Sequence, residues 1–269
     1  MYQNYIFDFY GTLADITTNE ESAYLWNKMA QIYSAYGAAY KGTELKKTFR
    51  GLCAKQEEEL VRKARQEEEP GQKAKKAACV SEGKESAAEV NAEIDLTECF
   101  LQCFTEKGVS SDREKARMMA ITFRTLSRKY LRAYSGVYEL LEHLKASGKK
   151  IYLLSNAQTD FTRPEITALG IDKYLDGIFI SSEVGFKKPA KEFYQKLLDT
   201  YKLDPKESIM IGNDIKADIE GARAVGLNTL YIHSNISPWE DEDREDTDIG
   251  ATYTVWDGDF TKIKGLICQ

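Results

Sequence analysis

The chain predicts an α/β fold: a parallel sheet core with a helical cap inserted after its first strand. Through the second half, short apolar runs alternate with helical patterns. A further apolar run opens the chain, and a long stretch with only helical periodicity separates the two.

Tyr2 to Phe9 reads as the first strand. Lys150 to Ser155, Ile178 to Ser181, Ser208 to Gly212 and Thr229 to His233 read as further strands, with Tyr253 to Trp256 as one more. Helical patterns cover Val137 to Ser147, Thr162 to Leu169, Lys191 to Tyr201 and Asp218 to Val225. Near-continuous apolar strands alternating with helices imply a parallel sheet covered on both faces. Right-handed crossovers then bring the C-terminal strand ends to one edge, where such sheets bind ligands.

The helical insertion begins with Glu21 to Tyr36, whose Trp26, Tyr33 and Tyr36 read as packing residues. Leu96 to Lys107 and Asp112 to Tyr134 repeat the helical period. The expected division is a core of 1–14 with 135–269 and a cap of 15–134. Within the cap, 54–93 is rich in Glu, Lys, Gln and Ala and has no aromatic residue. Its first part reads as a solvated helix ended by Pro70-Gly71, and the remainder as a mobile linker. The acidic run 240–246 beside Trp239 reads as a solvated loop.

The net charge of -6 argues against nucleic-acid or anionic-membrane partners. No apolar run approaches a membrane span, and the start Met1-Tyr-Gln-Asn has no signal-peptide pattern, so the expected setting is cytoplasmic. Five scattered cysteines suggest no disulfide framework. Cys99 and Cys103 read as two small apolar residues on one helix face.

Four short stretches fall at predicted strand ends: Asp8-Phe-Tyr-Gly-Thr-Leu13, Leu154-Ser155-Asn156, Lys188-Pro189, and Gly212-Asn-Asp-Ile-Lys-Ala-Asp218. Each alone is a common loop or helix cap. In this order, each after its own strand, they resemble the haloacid dehalogenase-like hydrolase superfamily over about 1–14 and 135–269. The resemblance implies a Rossmann-like core with Asp8 as nucleophile. It implies that Ser155 and Lys188 bind the transferred group. Thr12 and Asn156 are further candidates for substrate contact, although Thr12 reads first as ordering the loop after Asp8 and Asn156 as shaping the turn after its strand. In phosphatase members, acids of the fourth motif hold magnesium. Asp214 matches, supported by Asn213 and Asp218, with Asp8 and the main-chain carbonyl of Tyr10 completing the ligands. Lys188 is preferred to Lys187 because the family's lysine directly precedes proline.

The chemistry suits these residue types. An aspartate carboxylate is already ionised at neutral pH, having an ordinary pKa of about 3.9, so it attacks without a base. Bound Mg2+ would offset its repulsion from a phosphoryl group. Lys188 would neutralise further charge, and Ser155 would hold phosphoryl oxygens.

Tyr10 departs from the phosphatase pattern, which has a second aspartate there as general acid. Such help is worth roughly 100- to 10,000-fold. The Asp-x-Tyr-Gly-Thr motif resembles the L-2-haloacid dehalogenases, which use no metal and expel a halide needing no proton. The acidic fourth motif resembles the phosphatases instead. The favoured expectation is a Mg2+-dependent phosphatase of a small phosphorylated metabolite, working through an aspartyl-phosphate. The alternatives are a metal-independent 2-haloacid dehalogenase, or a catalytically weak protein that binds a phospho-ligand or a partner. Asp15 and Asp160 are the loosest candidates for a replacement acid.

Overall fold

A computed structural model of the protein describes residues 2–67, 91–238 and 248–268. The expected helix break at Pro70-Gly71, most of the linker that follows it, Trp239 and the acidic run 240–246 lie outside the described residues. Two compact units are present: 1–19 with 126–269, and 20–125.

In the first unit, six strands form one parallel sheet. They are β1 (Asn4–Phe7), β4 (Lys150–Ser155), β5 (Gly177–Ile180), β6 (Ser208–Gly212), β7 (Asn228–Ile232) and β8 (Tyr253–Val255), in the order β5-β4-β1-β6-β7-β8. β1 is central, with Phe7 in register with Leu153 of β4 and Ile211 of β6. Its alternate side chains serve two cores, which is why the run is apolar throughout. Tyr5 and Phe7 pack with Val137, Leu140 and Leu141 of the helix Val137–Ala146 and with Phe260 and Ile263 of the helix Phe260–Ile267. Ile6 packs on the opposite face with Phe193, Tyr194 and Leu197 of the helix Lys191–Tyr201.

Two more strands correct the helical reading of the insertion. Asp112 to Tyr134 is helical only over Arg113–Ser127; Arg128–Ala133 is a strand, β3. It pairs antiparallel with β2, Ala14–Thr18, in a two-stranded ribbon. The β-branched run Ile16-Thr17-Thr18 favours a strand locally. For β3 the decisive interaction is its ladder to β2, a partner more than a hundred residues away that no local period can reveal. This ribbon lies in the same compact unit as the sheet.

The second unit is built on the helices Ala23–Ala35, Gly42–Glu67, Leu96–Thr105 and Arg113–Ser127. Its core is aromatic. Trp26 stands 5.6 Å from Phe49 and 5.3 Å from Phe123 between ring centres, and Phe100 stands 4.5 Å from Phe49. Tyr33 is fully buried and donates its hydroxyl to Phe100 O, whereas Tyr36 is exposed. Cys99 and Cys103 are buried free thiols. Among the described residues no helix is long and apolar enough to cross a membrane.

Candidate active site

The site lies at the C-terminal ends of β4, β1 and β6, three neighbours in the sheet. Asp8 leaves the sheet directly after β1, and its N–H donates to Ile211 O at 2.9 Å. The chain then turns tightly, with Leu13 and Ala14 N–H groups both donating to Phe9 O. Gly11 makes the turn at φ +84°, and a Cβ there would stand 2.3 Å from Asn213 Nδ2. Only glycine meets both demands.

The fourth motif is shaped similarly. Gly212 ends β6, and a Cβ on it would lie 2.2 Å from the Asp218 carboxyl. Asp214 caps the turn Ile215–Glu220, accepting from Ala217 N–H at 2.7 Å. Asp218, one turn on and 1% exposed, accepts from Asp214 N–H at 3.0 Å.

Lys188 ties these loops together. Its Nζ donates to Asp8 Oδ1 and to Asp218 Oδ1, each at 2.6 Å, and the residue is buried. Burial alone pushes its ammonium down, but Asp218 and then Asp8 outweigh it and hold the lysine above its usual range. Burial pushes the Asp218 carboxyl above the ordinary carboxylate range, with Lys188 opposing and Asp8 adding to the rise. Asn156 fixes the lysine's backbone: its Nδ2 donates to Lys188 O at 2.9 Å, and Lys188 N–H donates to its Oδ1 at 2.7 Å.

Asp8, Tyr10, Ser155, Asn156, Lys188, Asn213, Asp214 and Asp218 line one cleft of about 230 Å³, together with Ile236 and Pro238 from the loop after β7. Thr12 is not among them. It is fully buried and donates to Asn213 Oδ1 at 3.2 Å, so it orders the fourth motif from behind. Lys187, Asp15 and Asp160 do not line the cleft. Asp15 is buried against Arg132, Tyr130 and Asn235 instead.

The Tyr10 phenol turns toward the helix Thr159–Ala168. It donates to Glu165 Oε2 at 2.5 Å and lies 3.0 Å from Thr162 Oγ1. Glu165 is 1% exposed, and Arg128 from β3 meets its other oxygen at 3.0 Å. Sequence reasoning missed Glu165, Thr162 and Arg128. One signal was present: Thr162, Glu165, Ile166 and Leu169 share one helix face, so an acid occupies an otherwise inward position.

Formally the cleft holds three carboxylates and one ammonium, an excess of negative charge. Among the described residues no three His, Cys, Asp or Glu side chains gather into a metal-holding group. A small hard divalent ion does not need one, because it keeps several waters and takes one or two carboxylates. Oδ1 of Asp8 and Oδ1 of Asp214 carry the bonds described above, leaving each a second oxygen for a ligand. The donor set therefore fits such a cation.

Comparison with known proteins places these features in a family. The chain is 28% identical to a glyceraldehyde 3-phosphate phosphatase of Methanothermobacter thermautotrophicus over 62% of its length and 79% of the relative's. It is 27% identical to a phosphoserine phosphatase of Thermus thermophilus over 58% of its length; that match spans 62% of the relative, less than two thirds. In fold it is similar to a 2-haloacid dehalogenase from Pseudomonas syringae, with a TM-score of 0.61 at 15% identity over 100% of this chain and 99% of that one. The sequence pattern of the haloacid dehalogenase-like hydrolases matches residues 2–226, so the chain belongs to that family.

Proposed function

We propose that the protein is a Mg2+-dependent phosphatase of a small phosphorylated metabolite, with Asp8 as nucleophile. One observation carries this reading: Asp8, Asp214 and Asp218 share a cleft in which Lys188 is the ammonium that meets Asp8 and Asp218. A cleft with excess negative charge repels a phosphoryl group unless a cation joins it. The curated phosphatase relatives support the same choice.

Asp8 and Asp214, with the Tyr10 carbonyl, would hold the ion. When bound, Mg2+ would supply positive charge to a phosphoryl group beside Asp8. Asp8 attacks phosphorus, and the leaving oxygen departs with the bonding electron pair. Lys188 keeps Asp8 oriented for that attack, while Ser155 donates to a phosphoryl oxygen. Water then attacks the phosphorus of the aspartyl-phosphate, releasing phosphate and regenerating Asp8. Asn156 contributes by fixing Lys188 and Asn213 by fixing the fourth motif, with Thr12 behind it.

The Asp-x-Tyr pattern favours a second reading, a metal-independent 2-haloacid dehalogenase acting through an ester on Asp8. One experiment separates the two: turnover of an aryl phosphate and of 2-chloropropionate, each with Mg2+ and with EDTA. Phosphate release that EDTA abolishes is expected. Chloride release indifferent to EDTA would replace the phosphatase reading with the second.

A further inference from the structure

The Tyr10–Glu165–Arg128 cluster carries a consequence for substrate class. A phenol has one proton to donate. That of Tyr10 points at Glu165 Oε2, 2.5 Å away. Arg128, a permanent cation, donates to the other oxygen at 3.0 Å and holds the Glu165 carboxyl in place. With its proton committed to Glu165, Tyr10 can only accept from Thr162, whose Oγ1 stands 3.0 Å away. Two side chains of the helix Thr159–Ala168 thus meet the hydroxyl of Tyr10, a residue that lines the cleft with Asp8, and Arg128 of β3 holds Glu165 from its other oxygen. Glu165 and Thr162 are buried, so the arrangement is enclosed rather than a surface contact.

We propose that Glu165 is a positioning residue that accepts the Tyr10 hydroxyl hydrogen bond and holds that hydroxyl on the helix Thr159–Ala168 rather than on the leaving group, and that the site therefore favours phosphoryl donors whose leaving oxygen departs as a stable anion. Acyl phosphates and phosphoanhydrides fit this class; alkyl phosphate esters do not. This rests on the phosphatase reading and narrows it. In the first step the Asp8 Oδ–P bond forms and the P–O bond to the leaving group breaks. The leaving oxygen keeps the electron pair and is released as carboxylate, phosphate or phenolate, with no proton supplied by the protein. In the second step a water oxygen bonds to phosphorus, the Asp8–P bond breaks, and the proton passes to solvent. An alkyl ester would have to expel an alkoxide, for which a positioned acid is normally worth roughly 100- to 10,000-fold.

The test compares acetyl phosphate with ethyl phosphate, a pair of nearly equal size, and adds a series of ring-substituted phenyl phosphates. Full-length protein is used with Mg2+, and kcat/KM is read because it reports steps up to leaving-group departure. The expected result is a preference of at least about 100-fold for acetyl over ethyl phosphate, with a steep fall along the phenyl series as the phenol becomes less acidic. A ratio within about tenfold and a flat series would overturn the inference while leaving the phosphatase reading intact. No phosphate from any member would overturn both. Two variants locate the cause. In Glu165→Gln the amide can no longer accept from both Tyr10 and Arg128, so its hold on the Tyr10 hydroxyl loosens and the acetyl-to-ethyl ratio should shrink. Loss of packing alone would lower both rates together and leave the ratio unchanged, which would overturn the role of Glu165. Tyr10→Asp should raise ethyl phosphate turnover relative to acetyl phosphate; a ratio left unchanged would overturn the claim that a missing acid sets the preference.

Discussion

Replacing Lys188 with methionine removes an ammonium buried between two carboxylates, each 2.6 Å away. Methionine keeps most of the stem's volume, so little cavity is left and the change is mainly electrostatic. Deleting one member of a buried ion pair costs about 3–5 kcal/mol, because the partner's charge stays buried without compensation. Here Asp218 is 1% exposed and Asp8 7% exposed, so neither recovers full hydration. For a domain of this size each kcal/mol moves Tm by roughly 2–4 °C, so Lys188→Met should unfold about 6–20 °C below wild type. The assay is thermal unfolding followed by circular dichroism at pH 7 in EDTA. Adding Mg2+ should raise Tm more in the variant than in wild type, since the ion binds the native carboxylates and takes over part of the lysine's role. Turnover should fall by roughly 100- to 1,000-fold, the usual effect of removing one group that stabilises transition-state charge. A Tm shift of no more than about 2 °C, which corresponds to the roughly 0.5 kcal/mol of a bland surface substitution, would refute the buried-pair reasoning.

Three further outcomes follow from the packing. Gly212→Ala drives a Cβ to 2.2 Å from the Asp218 carboxyl, so it should cost about 1–3 kcal/mol and displace Asp218; an urea midpoint equal to wild type would contradict the close approach. Phe100→Ala empties the aromatic core of the helical unit and should cost about 3–5 kcal/mol in the same titration, whereas a loss under about 1 kcal/mol would show that this core collapses around the gap. Asp15→Asn tests a pH dependence. Burial acts to push Asp15 up, but hydrogen bonds from Asn235, Arg132 and Tyr130 overcome it and hold the carboxyl below its ordinary range. Its contribution is therefore full above the unfolded value of about 4 and is lost as pH falls through the folded value. The stability gap between wild type and Asp15→Asn should be widest near neutrality and shrink below about pH 4; a gap independent of pH would contradict it.

Strands with both faces covered were legible because they leave unbroken apolar runs. Tyr5-Ile-Phe and Ile209-Met-Ile can be read without their neighbours, and so can the polar residues that follow them. Proline after Lys188 was enough to choose it over Lys187, and the chosen lysine is the one that meets Asp8. Pairings set by distant chain were not legible. β3 carries a helical period in its sequence and becomes a strand because β2 offers a ladder. The partner of Tyr10 was hidden for the same reason, since Glu165 lies 155 residues further on. Thr12, read first as ordering the loop after Asp8 and also as a substrate contact, spends its hydroxyl on Asn213 and lies outside the cleft, whereas Asn156 lines the cleft and also holds the Lys188 backbone. Motif position tells which loop a residue serves. It does not tell which neighbour its polar atoms will satisfy.

The central claim is phosphoryl transfer through Asp8. Its most direct test is to mix full-length protein with Mg2+ and an aryl phosphate, quench in acid during the first turnovers, digest, and identify any phosphorylated peptide by mass. The expected result is a phosphoryl group on the peptide that contains Asp8, absent when EDTA replaces Mg2+ and absent in Asp8→Asn, which also releases no phosphate. Continued phosphate release by Asp8→Asn, with no phosphoryl group on that peptide in wild type, would contradict it.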